Sequence, residues 1–181
     1  MKKIISSLTA SLVLLCAAST ASATMIDGTI NFIGGAVLST SGSTISKVTF
    51  DAGTVVNGSD ALVTGDFDGL EGSSALFSDL NVADVTPYTL WTAGTFTFTI
   101  TEIMTNTFTS GIFGTKNIGG YGYFTSTDSS FEQTAGEWII TANGASTNVS
   151  FSSTAIPAPA GAALLGLSLL GFGFARRNKK A

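Results

Sequence analysis

The sequence predicts an all-β fold: a single antiparallel β-sandwich or barrel-like domain, flanked by an N-terminal signal-peptide helix and a C-terminal hydrophobic helix. Three observations predict it. Thr95-Phe96-Thr97-Phe98-Thr99-Ile100-Thr101 alternates polar and apolar residues with a period of two, the signature of a strand with one buried face. Short apolar runs recur between clusters of Gly, Asn, Asp and Ser, the spacing expected of a sandwich or barrel. Apolar segments close both ends of the chain, apart from the patterned body.

The elements follow in order. Residues 24–154 form the body, one all-β domain with enough length to bury a single core. Strands are expected at Met25–Phe32, Ile45–Phe50, Val55–Val56, Ala61–Val63, Ala75–Val82, Thr95–Thr101, Phe108–Phe113, Gly120–Thr127, Trp138–Ala142 and Thr147–Ser152. Asn143-Gly144 and Asn57-Gly58 are expected to make tight hairpin turns, because Asn and Gly tolerate the positive φ these turns need. No repeat of 20 to 50 residues is present, which argues against a solenoid. The phenylalanines, Trp91 and Trp138 are expected to fill the core.

The N-terminal segment has the three parts of an export signal. Lys2 and Lys3 supply positive charge, Ile4–Ala18 is apolar, and Ala21-Ser22-Ala23 offers the small-x-small pattern that a signal peptidase reads at Ala21 and Ala23. Cleavage is expected after Ala23, so that residues 1–23 are the signal peptide and Thr24 the mature N-terminus. Cys16 is not a lipoprotein cysteine, because the bulky Leu15 precedes it.

Residues 155–181 make the second address. Ile156-Pro157-Ala158-Pro159-Ala160 opens an apolar run that reaches Ala175, and Arg176, Arg177, Lys179 and Lys180 follow as a basic stop-transfer tail. Twenty residues of helix span roughly 30 Å, about one hydrocarbon thickness. The prolines stand where a helix begins, and the basic cluster is expected to stay cytoplasmic, placing the body outside the inner membrane. Both ends therefore imply the same topology.

This tail resembles the PEP-CTERM sorting signal, which is handled by exosortases: a Pro-x-Pro-Ala motif at Pro157, Ala158, Pro159 and Ala160, then a Leu- and Gly-rich helix, then Arg and Lys at the end. Ala158 stands where the commonest form of the motif has Glu, so the tail is closer to the Pro-Leu-Pro-Ala variant. The resemblance covers about 25 C-terminal residues. It implies transient anchoring in the inner membrane, cutting near Pro157–Pro159, and delivery to the cell surface or extracellular matrix of an exopolysaccharide-producing Gram-negative bacterium. Its implied partners are signal peptidase, an exosortase, the inner membrane and exopolysaccharide.

Charge and composition narrow the chemistry of the body. Six of the eight basic residues lie in the terminal segments, which leaves all twelve acids against Lys47 and Lys116, a net charge of −10. Nucleic acid is excluded as a partner, because its binding requires a basic surface to displace counterions. The chain has no histidine and its one cysteine is Cys16, so a His-based hydrolase triad and a Cys/His zinc site have no ligands in the mature body. No catalytic residue is assigned, and the body is expected to be structural rather than enzymatic.

Two binding candidates remain. Asp66, Asp68 and Glu71 crowd carboxylates into six residues, a candidate calcium cluster because hard cations take oxygen ligands. A solvated acidic turn is the competing reading, and a paired-carboxylate glycosidase would need its acids across a cleft rather than along one strand. Gly119-Gly120-Tyr121-Gly122-Tyr123 is a candidate glycan-binding loop, with Trp91 and Trp138 as further aromatics for a sugar platform. The sequons at Asn57 and Asn148 carry little meaning in a bacterial-type chain.

Overall fold

The computed structural model describes residues 23–84, 87–109, 114–143 and 148–156. The chain is mostly β, and its main feature is one curled antiparallel sheet. The strands are β1 (Thr24–Met25), β2 (Thr29–Ser41), β3 (Thr44–Phe50), β4 (Val55–Val56), β5 (Ala75–Phe77), β6 (Leu80–Asn81), β7 (Tyr88–Ala93), β8 (Phe96–Phe108), β9 (Thr115–Ser126), β10 (Phe131–Glu132), β11 (Thr134–Asn143) and β12 (Asn148–Ala155). Their order in the large sheet is β5-β7-β8-β9-β11-β12-β2-β3-β6, with β4 added against β2. A separate parallel pair joins β1 to β10. The expected terminal helices lie outside the described residues.

Alternation decides which side of each strand is buried. Phe96, Phe98 and Ile100 face the core, as their spacing predicts. So do Ile30, Phe32, Ala36 and Leu38 on β2, and Trp138, Ile140 and Ala142 on β11. β8 then carries two irregularities, between Ile100 and Glu102 and between Ile103 and Thr105. Each adds a residue and moves the inward phase by one. The inward series therefore runs 100, 103, 106, 108. It leaves Met104 exposed and turns the amide of Asn106 inward.

That amide joins the two margins of the curl. Asn106 accepts a hydrogen bond from Ile45 N at 2.7 Å and donates one to Ile45 O at 2.8 Å, as a peptide group would. Phe108 N donates to Ser43 O beside it. β4 closes the other end of the seam, where Val56 N donates to Ser73 O and Ala75 N to Thr54 O. Replacing Asn106 by Ala removes two bonds and leaves the Ile45 amide without its partner, at an expected cost of about 1–3 kcal/mol. Faster hydrogen exchange at Ile45, with the rest of the core still protected, is the signature to measure.

Several expected elements move. Met25–Phe32 is not one strand: Gly28 adopts φ 126°, and a Cβ there would lie 2.0 Å from the carbonyl oxygen of Thr64, so the chain bends and β2 starts at Thr29. Ala61–Val63 is a turn, because Asn57 folds its side chain onto Ser59 N at 3.1 Å instead of turning a hairpin, and Val63 enters the core alone. Ala75–Val82 divides into β5 and β6, which lie at opposite ends of the sheet order. Tyr88–Ala93 is a strand that the sequence pattern did not reveal, since a bulge between Thr89 and Trp91 breaks its alternation. β11 and β12 do pair antiparallel, but Ala142 lies opposite Val149 and Asn143 belongs to β11, so the expected two-residue turn at Asn143-Gly144 is not made; residues 144–147 lie outside the described residues.

Candidate functional site

The Gly-rich segment, a candidate binding loop, lies in strand, in agreement with the strand expected at Gly120–Thr127. Residues 119–123 lie in the middle of β9, paired with β8 on one side and β11 on the other. Gly120 and Gly122 face inward, and their missing side chains make room. A Cβ on Gly122 would lie 2.2 Å from the carbonyl oxygen of Thr99 and 2.7 Å from the tip of the Phe98 ring. Gly136, directly opposite Gly122 on β11, is covered by the Phe124 ring in the same way. The glycines serve packing here rather than a binding loop.

The tryptophans also belong to the core. Trp91 is 1% exposed, its ring against Phe32, Phe98 and Phe124, and its Nε1 donates to Ser153 Oγ at 3.2 Å. Trp138 is buried as well. Neither contributes to an aromatic platform. Tyr121 and Tyr123 do share the outer face of β9, as their spacing predicts, with Tyr121 the more exposed.

A shallow outer groove lies above Gly119, with a cavity volume of about 280 Å3. Its floor is Gly119, where a Cβ would come within 2.6 Å of the Trp138 carbonyl oxygen. Tyr121, Ile139 and Met104 supply exposed apolar surface around it, and Glu137, Ser152 and Thr154 supply polar groups. Asn117 also lines the groove and carries a buried Oδ1 with no hydrogen-bond partner.

The acidic segment is divided by its backbone bonds. Asp66, in a single 3-10 turn over Gly65–Phe67, accepts the N–H of Asp27 on its Oδ2 at 2.8 Å. Glu71 accepts the N–H of Gly69 at 2.8 Å. Asp68 and Glu71 line an open depression of about 430 Å3 together with Asp60, Thr64 and Gly69, but Asp66 is not part of it. Among the described residues no three acid, His or Cys side chains are grouped to hold a metal ion. The expected calcium triad of Asp66, Asp68 and Glu71 is therefore not assembled, because the turn commits Asp66 to a backbone amide on another segment.

Two carboxylates elsewhere are held below their ordinary range. The hydrogen bond from Lys47, part of a 3.1 Å ion pair, lowers Asp79, and burial opposes it. The Ser130 backbone N–H lowers Asp128. Asp128 anchors a surface turn, Asp79 accepts from Phe50 N on β3, and neither lines the groove or the depression.

The terminal motif residues have a defined relation to the fold. Ala23 and Thr24 are described, and β1 begins at Thr24. Ala21, Pro157, Ala158, Pro159, Ala160, Arg176, Arg177, Lys179 and Lys180 lie outside the described residues. No helix among the described residues is long and apolar enough to cross a membrane. Comparison of the chain with protein-family models, with curated proteins and with solved structures finds no match to any of them.

Proposed function

We propose that the chain is an exported, exosortase-sorted structural protein of the cell surface or extracellular matrix, associated with exopolysaccharide and without catalytic activity. The observation that carries this reading is the ordered pair of addresses: an export signal ending at Ala23, and the Pro-x-Pro-Ala motif, apolar run and basic cluster from Pro157 onward. The body between carries an acidic, hydroxyl-rich surface suited to hydrated contact.

Fractionation tests the proposal. The body is expected in the outer-surface or extracellular fraction of cells that hold an exosortase, and in the inner membrane of cells that lack one. Retention in the inner membrane in both backgrounds sinks the sorting step.

A second reading, a glycan-binding module, is favoured by the outer groove over Gly119. Tyr121 offers a ring face while Asn117, Glu137 and Ser152 offer hydrogen-bonding groups, the mixture that a sugar's apolar and hydroxylated faces need. It predicts retention on a glycan array that Tyr121→Ala abolishes. Calcium binding, the other form of this reading, would rest on Asp68 and Glu71 without Asp66, and calorimetry with calcium would give no heat if it is wrong.

A further inference from the structure

The two ends of the folded body leave it at one pole. Thr24 N donates to Ser130 O at 2.8 Å, and Ile26 N to Thr134 Oγ1 at 2.8 Å. At the other end of the chain, Ala155 N donates to Gly28 O at 2.9 Å and Ile156 N to Ala135 O at 2.7 Å. Every acceptor is Gly28 or lies within Ser130–Ala135. β2 leaves this pole at Thr29 and ends at Ser41; thirteen residues at ~3.3 Å each put the opposite pole about 40 Å away.

The chemistry of this pole is distinct. Met25 and Ile156 are exposed there, 38% and 42%. Asp27, Asp128 and Glu132 surround them, also exposed. The described basic residues are elsewhere: Lys116 is opposite Phe108 and Ala142 at the far pole, and Lys47 is paired with Asp79 on β3.

We infer that this pole, residues 24–28, 128–135 and 155–156, is the face the body presents to the lipid bilayer while the tail is uncut. The inference rests on the reading of residues 156–175 as a membrane span. On that reading the span begins at Ile156, and Ile156 N is itself hydrogen-bonded to Ala135 O of the body, so the reading leaves no linker between sheet and span. A body attached without a linker cannot turn its other surfaces to the membrane. Ile156 and Met25 meet the headgroup boundary, and the carboxylates face headgroups that repel them when anionic. Contact is thus held by the covalent tether and ends when the tail is cut.

Depth-dependent quenching tests this on the processed chain, residues 24–181, reconstituted in vesicles of phosphatidylcholine and phosphatidylglycerol. An environment-sensitive fluorophore is attached at Ser129→Cys or Ser41→Cys, both at exposed positions. A headgroup-labelled nitroxide lipid is expected to quench the probe at position 129 and to leave the probe at position 41 bright. A Gly/Ser spacer inserted between Ile156 and Pro157 is expected to relieve the quenching at position 129 while the chain still floats with the vesicles. Equal quenching at the two positions in floating protein overturns the orientation alone. A chain that does not float overturns the membrane-span reading, and the orientation with it.

Discussion

Trp91→Ala is expected to cost about 3–5 kcal/mol of folding stability, the range for truncating a large buried aromatic. The indole is 1% exposed and touches three rings from three strands: Phe32 on β2, Phe98 on β8 and Phe124 on β9. β2 and β8 are far apart in the sheet order, so the indole joins opposite walls of the curl. Its removal leaves a cavity that rings on rigid strands fill poorly, and Ser153 Oγ loses its donor. A domain of this size has only about 5–15 kcal/mol in total, so the variant stands near its unfolding threshold. Chemical denaturation of the wild-type and variant chains measures the difference. Trp91→Phe keeps the ring contact and should recover much of the loss; equal costs for Ala and Phe would mean that the hydrogen bond, not packing, dominates.

Gly122→Val is expected to be nearly as damaging, at about 3 kcal/mol, by the opposite mechanism of overfilling. The Cβ alone would lie 2.2 Å from the Thr99 carbonyl oxygen, a backbone atom that cannot step aside without breaking the β8–β9 ladder. Phe98 would also have to leave the surface of the glycine row, and Phe98 is stacked on Trp91. Gly42→Ala provides the contrast. No atom lies within 4 Å of its Cβ, and the residue sits in a turn at φ 62°, so its cost is backbone strain alone. A denaturation midpoint for Gly122→Val close to that of the wild type would show that the β8–β9 pairing yields more readily than these distances require.

The contrast between these glycines explains how much of the molecule was legible. Strict alternation made Phe96, Phe98 and Ile100 readable as one buried face, and β11 and β12 were readable as neighbouring strands, though not with the two-residue turn expected at Asn143-Gly144. The length of β8 was not readable, because its two bulges break the period that identifies a strand. Gly120–Thr127 read as a strand and lies in β9, but the glycine richness of Gly119–Tyr123 read as a binding feature. Its structural cause, rings from β8 and β9 lying over Gly122 and Gly136, depends on cross-strand register that a single strand's sequence does not encode. The acidic segment failed for a related reason: Asp66 is drawn to Asp27, 39 residues earlier, by a turn whose direction is set by Gly28 and Gly65 at positive φ. Aromatics were legible as core, since an all-β body of this size needs them there.

The strand order also carries a consequence in time. β2, among the first parts of the body to be synthesised, has β12 as its neighbour, and the Thr29 and Thr154 side chains that bond across them are 125 residues apart in the chain. Such a distant pairing imposes a late, entropically costly loop closure. The sheet cannot complete itself until Ala155, near the end of β12, has been synthesised. Until then β2 presents an unpaired edge flanked by the exposed side chains of Ile33 and Val37, the kind of edge to which a neighbouring copy can add.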